Sequence, residues 1–86
     1  MIELTEIKRE NDVVSALVTT VEVNPRVFRV SYNLKTNEVV ENTYGSMGMS
    51  VNMAIRKLIS LSQEYGYNLP TSAECVCGIE RCFVWL

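Results

Sequence analysis

Polar and apolar positions divide the chain into a strand-like first half and a helical stretch that begins near residue 50. Residues Val13 to Val23 read Val-Val-Ser-Ala-Leu-Val-Thr-Thr-Val-Glu-Val, rich in β-branched side chains and free of Gly and Pro, which is strand composition. Glu10-Asn11-Asp12 ahead of this run is a turn signal, so Ile2 to Arg9 is predicted as a preceding antiparallel strand. Asn24-Pro25-Arg26 closes the second strand, because Pro has no N–H for a ladder and Asn favours turns. In a third strand, Val27 to Leu34, alternation places Phe28, Val30, Tyr32 and Leu34 on one face and Arg29, Ser31 and Asn33 on the other. Lys35-Thr36-Asn37-Glu38 reads as a tight hairpin loop and Val39 to Tyr44 as the returning strand. Four strands joined by short turns make an antiparallel meander.

Gly45 to Ser50 breaks the alternation, and from Val51 the period becomes helical. Val51, Ala54, Ile55, Leu58, Ile59, Ser62 and Tyr65 form a stripe, while Asn52, Arg56, Lys57, Ser60, Gln63 and Glu64 fall mostly elsewhere. Ser46 or Ser50 is suited to cap the start, and Gly66 to take the left-handed position past the end. Tyr65-Gly66-Tyr67 is expected to pack the helix terminus on the sheet. The apolar stripe needs cover, so the expected fold is α+β: two layers, a meander of about four strands on one main helix, in a single domain spanning residues 1–86. The last segment, a short helix or a strand, is ambiguous. Thr71-Ser72-Ala73-Glu74 has capping-box spacing and points to a short helix from about Ser72, whereas Gly78 and the run Cys82-Phe83-Val84-Trp85 favour extended chain.

The second strand is apolar at both parities. With Val13, Leu17, Val21 and Val23 against the helix, Val14, Ala16 and Val18 point to the opposite side of the sheet. Leaving that strip in water forfeits roughly 1.5–3 kcal/mol for each large side chain that burial would stabilise. Three occupants are available: the C-terminal segment with Phe83, Val84 and Trp85, a second copy of the chain, or a different protein. Val14, Ala16, Val18, Phe83 and Trp85 are therefore the expected interface residues.

Composition narrows the function classes. With 86 residues there is room for one modest core. The net charge is −2 and the basic residues are scattered, which argues against nucleic acid, whose binding requires clustered positive charge. No apolar run approaches the ~20 residues of a membrane span, and there is no basic amphipathic helix of the kind that lies on a bilayer. Met1 to Glu6 lacks the basic start and apolar core of a signal peptide, and three cysteines are an odd number for a disulfide framework, so a reduced cytoplasmic setting is expected.

The candidate chemistry is thin. The chain has no histidine, which removes the commonest acid/base group near neutral pH and the commonest metal ligand. Cys75, Cys77 and Cys82 offer three thiols, one short of a tetrahedral zinc set, with Asp12, Glu74 or Glu80 as the remaining donor. Read as a helix, that spacing puts Cys75 and Cys82 on one face and Cys77 away from them, and small buried side chains explain the same residues. The glycines of Gly45-Ser46-Met47-Gly48-Met49-Ser50 precede a helix start, where backbone N–H groups can hold an anion, yet the phosphate-loop and dinucleotide motifs are both incomplete. Met47, Met49 and Met53 fit gap-filling core or an adaptable partner surface. The carboxylates are spread along the chain with no evident working pair. The expectation is thus a non-enzymatic protein–protein interaction or regulatory module, with no catalytic residue, cofactor or metal, binding a protein partner or itself as a homodimer. A protein binding a small ligand, an anion or zinc through the Gly45–Ser50 loop or the cysteines is the alternative.

Overall fold

A two-residue turn at Asn11-Asp12, with Asn11 in the left-handed region (φ 57°), joins strands β1 (Ile2–Glu10) and β2 (Val13–Thr20). Asn tolerates that conformation better than most side chains, which explains its place in the turn. Strand β3 (Val27–Asn33) pairs antiparallel with β2, and β4 (Glu38–Asn42) with β3. The β3–β4 turn is held by the Asn33 side-chain oxygen, which accepts from the Lys35 and Thr36 N–H groups at 2.8 and 3.0 Å, with Asn37 again left-handed (φ 58°). The meander expected from the alternation is present. The computed structural model describes residues 2–21, 23–77 and 82–85, with side chains described up to residue 74.

Helix α1 (Met49–Tyr65) follows, and Gly66 (φ 66°) ends it, its N–H donating to the Ser62 carbonyl at 2.9 Å. The start is capped differently from expectation. Gly48 is the N-cap and no side chain closes it, so neither Ser46 nor Ser50 serves. The chain then returns to the free side of β1. Strand β5 (Ala73–Cys77) pairs antiparallel with β1, and β6 (Cys82–Trp85) with β5. The full order is β4-β3-β2-β1-β5-β6. The short helix foreshadowed by Thr71 and Glu74 is absent because β1 presents an unpaired edge there, and ladder hydrogen bonds satisfy the backbone of residues 73–77 instead. Phe83 and Trp85 belong to an edge strand beside the sheet; their side chains, and the idea that they lie over a strip of β2, fall outside the described residues.

The helix lies across β1, β2, β3, β5 and β6, and it sits on the even side of β2. Val14, Ala16 and Val18 are each 0% exposed and form the core with Ile2, Leu4, Phe28, Val30, Val51, Ala54, Leu58 and Leu61. This inverts the expected facing: the strip assigned to an interface is the interior, and Val13 and Leu17 occupy the other side. The reason is register. Val14, Ala16 and Val18 stand opposite Tyr32, Val30 and Phe28, the apolar face of β3, so the helix covers that side of both strands.

A bulge shifts β1 midway. Register passes from Thr5–Leu17 to Lys8–Ser15, so Glu6 and Ile7 oppose one residue of β2, and Glu6 takes φ 51°. The extra residue keeps Ile7 in the core at 5% exposure although Ile2 and Leu4 have the other parity.

Candidate functional site

The helix covers one side of the sheet, and the other side carries no element among the described residues. Register arranges this open face in rows. Glu74, Glu3, Thr19 and Val27 make one row, and Thr5, Leu17 and Arg29 the next. Lys8, Ser15, Ser31 and Glu41 make a third, followed by Glu10, Val13, Asn33 and Glu38. Leu17 lies half-buried at the centre, since Arg29 on β3 reaches back to Glu6 on β1 at 3.5 Å, spanning β2 above it. Ser31 donates to Glu41 at 3.4 Å. Val27, at 60% exposure, closes one corner.

Charge is sorted by this geometry. Among the described residues the open face holds the carboxylates of Glu3, Glu6, Glu10, Glu38, Glu41 and Glu74 against Lys8 and Arg29. That is a net −4, in a chain whose total is −2. Glu3 and Glu74 stand directly opposite each other on neighbouring strands, an arrangement that disfavours the isolated sheet. Among the described residues no three His, Cys, Asp or Glu side chains converge closely enough to hold a metal ion, so this face is a charged surface rather than a metal cage.

A second feature adjoins it. The β2–β3 loop and the β4–α1 connection lie side by side, joined by Arg26, whose guanidinium stacks on the Tyr44 ring at 4.3 Å and donates to its hydroxyl at 3.2 Å. Tyr44 in turn meets Phe28 edge-to-face at 4.9 Å. Around this clasp Val21, Val23, Met47 and Met49 are 53%, 96%, 53% and 80% exposed. Met47 and Met49 are thus surface residues, whereas Met53 is core. These exposed apolar side chains make a rim at the end of the sheet where the β2–β3 loop, which leads into Val27, meets the β4–α1 connection.

The Gly45–Ser50 segment has the backbone of a connection. Gly45 takes φ 99°, which favours glycine, and the Asn42 side chain donates to the Ser46 carbonyl at 3.0 Å. Residues 45–50 include no cationic side chain to hold an anion. The cysteines are better assembled than a helical reading allows. Cys75 and Cys77 are two apart on β5, and Cys82 on β6 pairs with Cys77, so by register all three fall on one side of the β5–β6 ladder. Their thiols lie outside the described residues.

Lys57 is the residue that sequence reasoning placed worst. The helical spacing put it off the stripe, yet it is 1% exposed and its Nζ is buried without a hydrogen-bond partner among the described residues. Loss of water pushes its pKa down to about 8, and the Glu64 carboxylate pulls it the other way. Its position on the helix, between Met53 and Leu61, was the available signal, since residues four apart stack on one face. At the other end, Arg9 stacks on the Tyr67 ring at 4.0 Å and donates to the Gly66 carbonyl at 3.3 Å, tying the helix terminus to β1. Tyr65 packs against the core as expected, but Tyr67 is largely exposed.

Comparison of the chain with protein-family models, with curated proteins and with solved structures finds no match in any of the three.

Proposed function

We propose that this protein is a small, non-enzymatic interaction or regulatory module of the cytoplasm, which docks a protein partner on the helix-free side of its sheet. The observation that carries the reading is the double-sided apolar character of β2. One helix covers Val14, Ala16 and Val18, and Val13 and Leu17 remain on the side that no described element covers. An antiparallel sheet tolerates one solvated face, so the further support comes from the apolar rim at its end, where Val21, Val23, Val27, Met47 and Met49 are all more than half exposed. Homodimerisation, the self-associating form of this reading, would run through the rim rather than through the acidic face, where like carboxylates oppose a second copy.

Photo-crosslinking residues placed at Thr5 and Thr19 on the open face, and at Ser60 on the outer side of α1, test the proposal in the cell of origin. Adducts of defined mass from Thr5 and Thr19, and none from Ser60, are the expected pattern; an adduct of twice the chain mass identifies the homodimer. Adducts from Ser60 alone, or none at any position, overturn it.

A second reading has its own observation. The common side of Cys75, Cys77 and Cys82 on the β5–β6 ladder favours a thiolate zinc site more than their sequence spacing does. Metal analysis of chelator-free protein tests it: one zinc per chain supports the site, and no zinc removes it.

A further inference from the structure

We infer that the partner docked on the open face is cationic, an extended segment of another protein in which Lys or Arg residues flank aliphatic ones. This rests on the interaction reading and goes beyond it by naming the partner's chemistry. Among the described residues six carboxylates and two basic groups line the face, a net −4. A second copy laid face to face would set −4 against −4, and the desolvation of those carboxylates would go unrepaid. A cationic segment laid along the strands meets uncompensated carboxylates in the two outer rows, Glu3 with Glu74 and Glu10 with Glu38. It also relieves the like-charge pair of Glu3 opposite Glu74.

The apolar centre sets the remaining demand. Leu17 lies at that centre beneath the Glu6–Arg29 pair, and Val27 adds an exposed apolar side chain at one corner. An exposed ion pair of this kind contributes at most about 1 kcal/mol, so a partner's basic side chain can replace Arg29 on Glu6 and uncover Leu17 at little cost. Six strands spaced about 4.8 Å apart make a platform roughly 25 Å wide, the length of an extended segment of about seven residues at ~3.4 Å per residue.

The test titrates an alternating lysine–valine peptide, and its glutamate–valine counterpart, into the isotopically labelled full chain. With the lysine peptide, amide shifts concentrated at Thr5, Ser15, Leu17 and Ser31 and weakened by added salt are expected; the glutamate peptide should shift none of them. The double variant Glu3→Lys with Glu74→Lys should bind the lysine peptide roughly tenfold more weakly, with an unchanged melting temperature, since Lys opposite Lys keeps a like-charge pair. Arg56→Glu, on the exposed side of α1, should leave binding as it was. Shifts confined to the helix side, or undiminished affinity in the double variant, overturn the inference. Equal binding of both peptides on the open face overturns the charge preference and leaves the interaction reading standing. If neither peptide perturbs the face, the cationic partner is rejected, and the crosslinking experiment decides separately whether any partner docks there.

Discussion

Arg26 and Tyr44 make two contacts at once: the guanidinium stacks on the ring at 4.3 Å and donates to the phenol oxygen at 3.2 Å. The pair joins the β2–β3 loop to the chain that leads into α1. A double-mutant cycle of Arg26→Ala and Tyr44→Leu should return a coupling of about 0.5–1 kcal/mol in denaturant unfolding. Tyr44→Phe keeps the stacking and the edge contact with Phe28, so most of that coupling should persist in the cycle built on Phe. A coupling of zero would mean that the loop is held by Thr20 alone, whose hydroxyl accepts from the Arg26 N–H at 2.8 Å.

The two sides of β2 should respond differently to truncation. Val18→Ala empties a fully buried position and should cost roughly 1.5–3 kcal/mol. Leu17→Ala removes more carbon from the half-buried side but should cost about 1 kcal/mol or less. Chemical denaturation of both variants reads the difference, and equal losses would contradict the facing described above.

Lys57 should be replaceable with profit. Lys57→Met keeps the unbranched stem and deletes a buried amine that has no hydrogen-bond partner among the described residues. Such a change should stabilise the fold by ~1–3 kcal/mol at neutral pH. A lower melting temperature in this variant would show that the amine is satisfied in solution.

The same lysine sets a pH dependence. Unfolded, it holds its proton up to about 10.5; folded, only up to about 8. Between those values the unfolded chain binds more protons, so stability should rise with pH from about 8 to about 10.5. Below that window the penalty of the buried charge is fully present, and above it the penalty is gone. Urea midpoints measured across the window should climb for the native chain and stay flat for Lys57→Met. Parallel curves would assign the rise to another group.

Glu3→Thr removes one member of the like-charge pair opposite Glu74 and places a β-former in the strand. A gain of about 0.2–1 kcal/mol is expected, shrinking as salt is added. A loss would mean that Glu3 has a favourable partner in solution.

Alternation and turn chemistry made the meander and the helix legible. The apolar side of β3 is unmistakable, since Phe28, Val30, Tyr32 and Leu34 alternate with Arg29, Ser31 and Asn33. β2 offers no such asymmetry, because Val13 and Leu17 match Val14 and Val18 in character. Its facing is fixed by pairing, with Thr20 closing the loop on Arg26, and loop closure across Asn24-Pro25 has no readable length in the sequence. The bulge at Glu6 was hidden for a similar reason: no glycine marks the left-handed residue. At the C-terminus, local capping signals lost to a distant edge, the free side of β1. The acidic face could not be read at all from a scattered set of glutamates, since only the register of five strands brings them to one side.

The strand order has a consequence for biosynthesis. β1 is made first, yet its second neighbour, β5, emerges only after the meander and the whole of α1. Throughout that interval a nascent chain displays a bare row of N–H and C=O groups along β1, a template that any other growing polypeptide nearby is able to extend. Delays in translation after residue 65 should therefore raise the aggregated fraction, and a ribosome-bound chain ending there is the species a chaperone would be expected to shelter.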